Sequence, residues 1–493
     1  MGNKSLTIKP EPLAATTVNP QTPLYQLVAN TLKAQSEPST NLLYALGNPH
    51  LALLERLQLI DAATDTIDVQ YYLFHDDDSG RALLQALVEA ANRGVKVRLL
   101  LDDMDMLGRD GIFVRLIQDN PNFQVRIFNP FYLRILRLPE YLARFPQVTR
   151  RMHNKSLTVD RVVTIAGGRN IGNEYFSFKT EVAFADFDLL AAGKIGQDIT
   201  AAFNTYWSSG IAFDLSTLNQ AADDARFKPW QAEASEVLAS YRQEALKEQS
   251  ELNRFLKSIE RQIYYADIKV IADHPEKVIS SFSNTEGNIT ADIVELFSSA
   301  QHELVISSPY FIPGSLGLEV FQNLRKRGVE VIILTNSFAA NDVAAVHAGY
   351  LNYRRRLLEM GVKLYELKPQ NTEAELAKGF ELFGSKRASL HAKAFVVDQK
   401  TTFVGSFNLD PRSSVHNTEM GLIFDEPAYA AASVEKTRLY MQQQAYEVKL
   451  NANNEIIWLD NVNGISHTVE PDTSVLQRGI TRVISWLPVE WLM

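Results

Sequence analysis

The chain has 493 residues, no cysteine and a formal net charge of −9, with 46% hydrophobic and 22% charged residues. Such a composition supplies ample core, excludes disulfides and thiolate chemistry, and argues against a dedicated nucleic-acid binder, which carries basic excess. No apolar run reaches the roughly 18 residues of a transmembrane helix.

Residues 1–40 are rich in Thr, Pro, Asn, Gln and Ser and lack the apolar core of a signal peptide. They are expected to form a poorly ordered leader or tether. From there the pattern alternates. LALLERLQLIDAA reads as an amphipathic helix, TIDVQYYLF as a strand, SGRALLQALVEAANRG as a helix stopped by Gly94, and VKVRLLLDD as a buried strand. FQVRIFNP is a short strand ended by Pro130. Next comes FYLRILRLPEYLARFPQVTRR (131–151), with five Arg and one Glu among bulky apolar residues. Its composition predicts either an interfacial segment drawn to anionic lipid or a lid helix packed on its own domain.

MHNKSLTVD follows, and with it the feature that organises the chain. His153, Lys155 and Asp160 form an H-x-K-x4-D set, and Asn170 of GGRN lies 17 residues after His153. His391, Lys393 and Asp398 repeat the set in LHAKAFVVD, and Asn408 of GSFN lies 17 residues after His391. The copies are 238 residues apart, and the elements around them repeat too. ITADIVELFSSA, HELVISSPYF, LGLEVFQNLRKRG (ended by Gly328), VEVIILTNS and VKLYELKP restate the helices and strands of the first half. Alternating helices and strands predict an α/β fold of two duplicated lobes, each a mixed sheet flanked by helices, with the active site at the lobe interface. The expected limits are 41–215 and 262–450, joined by a polar helical connector over 216–261. The tail, 451–493, is a separate element. In SVLQRGITRVISWLPVEWLM, Val475, Leu476, Ile480, Val483, Ile484 and Leu487 share one helical face, with Trp486 and Trp491 suited to a headgroup layer. This is either an interfacial helix or a docking helix.

Along an extended strand His153 and Lys155 share a face, as do His391 and Lys393. Two imidazoles, two lysines and two asparagines suit a phosphodiester. One neutral imidazole attacks phosphorus and forms a covalent phosphohistidine; the other donates a proton to the leaving oxygen and then takes one from the incoming alcohol or water. Lysines and asparagines hold the non-bridging oxygens, and no metal or other cofactor is called for. Carboxylates should orient the imidazoles, and Asp188 in FADFDLL and Glu419 in NTEMGL occupy suitable positions. Asp160 and Asp398, at the strand ends, are placed to hold the turn or the other half. His347, in NDVAAVHAGY, is a packed helix histidine or a headgroup contact.

This duplicated HxKxxxxD pattern resembles the phospholipase D superfamily over residues 45–450. YYLFHDDDSG, VRLLLDD, RRMHNKSLTVD, GGRNIGNEYF, LTNSFAANDVAAVHAGY and GSFNLDPRS are similar to its cardiolipin synthase branch. The resemblance implies His153, Lys155, Asp160, His391, Lys393 and Asp398 as the catalytic set, with either histidine as nucleophile. It implies Asn170, Asn408 and Ser406 as phosphate ligands, Asp188 and Glu419 behind the histidines, and Arg412 and His347 lining the site. Ser406 has Gly168 as its counterpart, so the halves are not equivalent there. The implied reaction is transfer of a phosphatidyl group between phospholipids, with phosphatidylglycerol as the acceptor that yields cardiolipin. The alternatives are hydrolysis to phosphatidic acid, a nuclease, or a silent lipid-binding scaffold. The implied partners are phospholipids, a membrane surface and a small helper protein, with no nucleic acid and the oligomeric state open. The implied location is peripheral to the bacterial inner membrane, on its cytoplasmic face, or on the periplasmic face if an export signal or lipid anchor once preceded the chain.

Overall fold

The computed structural model describes residues 9–35, 39–145, 147–177, 183–259, 263–280, 287–341, 343–369 and 388–485. Two large mixed sheets stand side by side, each built mainly from one half of the chain. The first half supplies β1 (Asn41–Leu46), β2 (Thr66–Tyr71), β3 (Lys96–Asp102), β4 (Phe123–Phe128), β5 (Ser156–Val159), β6 (Val163–Gly167), β7 (Ala183–Ala185), β8 (Asp188–Gly193) and β9 (Ala212–Asp214). The second supplies β10 (Tyr264–Ala266), β11 (Ile268–Ala272), β12 (Glu303–Ser307), β13 (Glu330–Asn336), β14 (Lys363–Leu367), β15 (Ala388–Leu390), β16 (Ala394–Val397), β17 (Thr401–Gly405), β18 (Met420–Asp425), β19 (Ala445–Leu450), β20 (Ile456–Asp460) and β21 (Ile465–His467).

Strand order exposes the duplication. The first sheet runs β10-β1-β8-β6-β5-β2-β3-β4-β9 and the second β11-β18-β17-β16-β12-β13-β14-β19-β20-β21. In each, two parallel pairings (β2–β3–β4 and β12–β13–β14) follow helical crossovers, and the remaining ladders are antiparallel. Crossover helices Asp78–Asn92 and Gly314–Lys326 bury Leu83, Leu84 and Leu87, and Val320, Phe321 and Leu324. Both are followed by left-handed glycines, Gly94 (φ 97°) and Gly328 (φ 83°), where a side chain would be strained.

Three boundaries differ from the sequence reading. Residues 23–33 form a helix, begun by Thr22, whose hydroxyl accepts from the Tyr25 N–H, and by Pro23 in the first turn. Val28 of that helix is buried against the first core. Helix Asp224–Ile259, within the expected polar helical connector, buries Phe227, Trp230, Leu238 and Tyr241 in that same core. After it, β10 returns to pair with β1, so the chain changes sheets at Asp267. At the other end β19–β21 continue the second sheet to His467, beyond the expected start of the tail. The tail then forms helix Val475–Ser485, with Val475, Leu476, Ile480 and Val483 exposed. Leu487, Trp486 and Trp491 lie outside the described residues.

A core shared by both halves holds the sheets together. Leu43, Leu189, Ala191 and Ile195 of the first half pack with Ile268, Val404, Leu422 and Phe424 of the second.

Candidate active site

Strands β5 and β16 begin one residue after the motif lysines, so each histidine and lysine sits on the segment leading into its strand. Those segments are stitched to the opposite half. The His153 N–H donates to the Thr418 carbonyl (2.8 Å), the Thr418 N–H to Arg151 (3.0 Å), and the Arg151 N–H to Asn417 Oδ1 (3.0 Å). Around His391 the arrangement repeats: β15 lies parallel to β7, and the His391 N–H donates to the Ala185 carbonyl (2.8 Å). Each histidine is therefore seated one residue from an acidic residue of the other half, Glu419 after Thr418 and Asp186 after Ala185.

Those acids take the rings. His153 Nδ1 lies 2.9 Å from Glu419 Oε2, and His391 Nδ1 lies 2.5 Å from Asp186 Oδ2. Both carboxylates are fully buried and the histidines are 8% and 6% exposed. Nδ1 of each ring is thereby engaged, and among the described residues no group takes Nε2.

Asp188, expected behind a histidine, is elsewhere. Its carboxylate binds the buried guanidinium groups of Arg56 and Arg169, both at 2.7 Å. The ladders give the reason. Gly167 stands opposite Asp188 on β6–β8, as Gly405 stands opposite Gly421 on β17–β18. Two residues before Gly421 is Glu419, and two before Asp188 is Asp186. FADFD holds both acids, and only the strand register, not the distance from the histidine, tells them apart.

Ser406, expected on phosphate, donates instead to Glu419, and Ser413 donates to the other Glu419 oxygen (2.8 Å). In the first half Gly168 replaces Ser406; a Cβ there would lie 2.4 Å from Asp186 Oδ1. One half thus uses a long acid steadied by hydroxyls, the other a short acid that fills the room a glycine leaves.

Asp160 and Asp398 do not reach the imidazoles. Asp160 accepts from the N–H groups of Thr64, Asp65 and Thr66, and Asp398 from those of Gln301, His302 and Glu303. Both occupy left-handed turns (φ 51° and 52°), which Asp tolerates better than most residues, and each ties its turn to the start of the adjacent strand. His347 is packed: it is fully buried, stacked on Phe338, and its Nε2 lies 2.8 Å from Glu470.

Lys155 and Lys393, each 1% exposed, reach the carbonyls of His153 and His391 (2.5 Å each). Asn170 is held by the Leu73 N–H (3.3 Å) and the Tyr175 hydroxyl (2.9 Å). Asn408 is buried, and its Oδ1 has no hydrogen-bond partner among the described residues. Arg412 donates to the Thr149 carbonyl across the halves (2.9 Å). Aromatic walls were not foreseen: Tyr72 packs edge-on against His153 (5.2 Å), and Tyr175 and Phe184 against His391 (5.4 and 5.1 Å).

The site's electrostatics explain what it would bind. Burial, then Lys155, Lys393, His391 and Arg412, hold the His153 imidazole well below its ordinary value. Both motifs therefore share one electrostatic neighbourhood. Burial and then Lys393 push Lys155 down to about 7, against the pull of Glu419. Burial raises Glu419. Burial would raise Asp186 too, but His391, Lys393 and Arg169 hold it at about 2. Cations this crowded and dry destabilise one another until an anion enters.

Residues 57–207 and 293–463 match the family described as "Cardiolipin synthase, PLD-like domain". The chain belongs to this cardiolipin synthase branch of the phospholipase D superfamily. Cardiolipin synthase C of Escherichia coli K12 is 38% identical over 456 residues, covering 90% of this chain and 94% of that one. A cardiolipin synthase of Clostridium perfringens SM101 is 26% identical over 383 residues, covering 78% and 66%. Among solved structures, phosphatidylserine synthase of Haemophilus influenzae superposes with a TM-score of 0.61 at 15% identity, covering 95% of this chain and 99% of that one. That likeness is one of fold.

Proposed function

We propose that the protein is a phosphatidyltransferase that makes cardiolipin, moving a phosphatidyl group from one phospholipid to the hydroxyl of phosphatidylglycerol through phosphohistidine. The observation that carries this is the reciprocal placement of two imidazoles, each held at Nδ1 by a buried acid of the other half.

His153 is the nucleophile in this reading. Burial and the surrounding cations hold its ring neutral, and a proton on Nδ1 donated to the Glu419 carboxylate leaves the Nε2 lone pair for phosphorus. Burial and then Lys393 lower the His391 imidazole as well, with Asp186 opposing them; His391 is assigned the proton because its Nδ1 partner, Asp186, stays ionised. In the first step the His153 Nε2–P bond forms, the P–O bond to the departing alcohol breaks, and the His391 proton goes to that oxygen. In the second, His391 takes the proton of the acceptor hydroxyl, the new P–O bond forms and the N–P bond breaks. Lys155, Lys393 and the Asn408 amide hold the non-bridging oxygens; Asn170, already bonded on both sides, is more a support for Tyr175. Arg412 adds charge beside His153. Asp186 and Glu419 act as positioning residues, and Ser406 and Ser413 position Glu419. Tyr72, Tyr175 and Phe184 exclude water from the rings, which supports transfer over hydrolysis.

The chain works peripherally on a membrane in this account, at the bacterial inner membrane. No helix among the described residues is long and apolar enough to cross one. Incubation with phosphatidylglycerol, with and without phosphatidylethanolamine, and separation of products by mass tests the function. Cardiolipin is the expected product; phosphatidic acid alone would replace transfer by hydrolysis.

A further inference from the structure

Residues 131–145 link β4 to the His153 segment, and their surface is unusual. Tyr132, Leu133, Ile135, Leu136, Leu138, Leu142 and Phe145 are all exposed, Ile135 by 87% and Leu142 by 81%. Single exposed apolar residues are ordinary, whereas a contiguous group marks a contact surface.

The arginines of the same stretch point inward. Arg134 binds Asp110 (2.7 Å) and Asp103; Arg137 binds Asp103 (3.2 Å); Arg144 binds Glu140 (2.6 Å) and lies over the Tyr132 ring. Arg150 and Arg151 are buried, donating to Ser280 (2.6 Å) and Val148 (2.8 Å) carbonyls among others. The composition suggested a basic segment seeking anionic lipid. The fold neutralises that charge at the base of the segment and leaves hydrocarbon at its tip.

The segment also has a position. Its Phe131 N–H is fixed by Asp103, while the adjacent Asp102 accepts from the Met152 N–H beside His153 (2.6 and 2.9 Å). Tyr141 lies near enough to Tyr72, the ring edge-on to His153, to bear on its ionisation.

We propose that residues 132–145 form an apolar wedge that enters the hydrocarbon boundary of a phospholipid surface beside the active-site opening. Hydrocarbon burial drives this binding, and anionic headgroups are not required. A lipid surface fits better than a protein partner, because it both covers the apolar tip and supplies substrate at the adjacent site. In that last respect the proposal rests on the phosphatidyl-transfer reading.

The test is flotation of the full chain with vesicles of phosphatidylcholine alone and of phosphatidylcholine mixed with phosphatidylglycerol, at low and high salt. The chain should bind both, with little effect of salt. Ile135→Glu and Leu142→Glu should each weaken binding by about tenfold or more, yet turn over a water-soluble phosphodiester at the parent rate. That rate also reports that the variants fold. Unchanged binding by both variants would overturn the proposal, as would binding confined to anionic vesicles and lost in high salt. Concentration-dependent self-association without lipid, abolished by the same variants, would assign the tip to a second copy and overturn it equally. A parent chain that binds through the wedge but transfers no phosphatidyl group would refute the functional reading and leave the wedge standing.

Discussion

Replacing Asp186 by Asn removes one negative charge from beside His391 at nearly constant volume. The Asp186–His391 contact is 2.5 Å and fully buried, so no water can substitute for it. A hydrogen bond to a charged group is worth about 1.5–3 kcal/mol, and about 1.4 kcal/mol is a factor of ten in rate. Asp186→Asn should therefore lower kcat by roughly 10–150-fold, with thermal unfolding little changed. Asp188→Asn should behave in the opposite way. That carboxylate sits between Arg56 and Arg169, both buried, and removing it strands their charge at a cost of about 3–5 kcal/mol in stability. The assay is cardiolipin formation by mass alongside a melting curve. An Asp186→Asn variant of normal rate, or an Asp188→Asn variant of normal stability and poor rate, would refute the reasoning.

Three further outcomes follow from particular contacts. Gly168→Ala should cut kcat by about tenfold or more, because its Cβ would lie 2.4 Å from Asp186 Oδ1 and push that carboxylate off His391; normal rates would show that the acid can move freely. For Lys155, held down to about 7 by burial and then Lys393, the protonated form is the one that binds phosphate, so kcat/KM should fall as pH rises through that value. The limb should move higher in kcat, where bound phosphate favours the ammonium; a flat profile would contradict the crowding. For Glu470, burial opposes but His347 and Arg354 hold the carboxyl at about 2, down from 4.5. The contact is fully formed above pH 4.5 and is lost as pH falls toward 2. Hydrogen exchange in helix Val475–Ser485 should accelerate across that window, and Glu470→Gln should show the faster exchange at neutral pH.

The α/β architecture could be read because its signals are local. Periodic runs such as SGRALLQALVEAANRG and VKVRLLLDD end on glycines or turn residues, and they became helix Asp78–Asn92 and β3. Recurrence of those runs around two identical motifs predicted two like lobes. The start of helix Pro23–Lys33 was readable too, in Thr22 and Pro23, but composition outweighed it. What the sequence hid is exchange between halves. Nothing in FADFD says that Asp186 crosses to His391 while Asp188 turns to two arginines, because that choice is made by strand register. The Ser406 contact was hidden in the same way: its hydroxyl donates to Glu419. Asp160 and Asp398 look catalytic by proximity in sequence, yet their carboxylates satisfy backbone N–H groups. Composition likewise could not say which way the arginines of 131–151 would fold.

The most direct measurement is covalent trapping. A phosphatidyl donor with an aryloxide leaving group needs no proton from His391, so a His391→Asn variant should form the intermediate and fail to discharge it. Mass analysis of peptides should then find the phosphatidyl group on His153, and none with His153→Asn. An adduct on His391 in the reciprocal variant, or no adduct in either while the parent turns the donor over, would contradict two imidazoles sharing one phosphorus with His153 as the attacking ring.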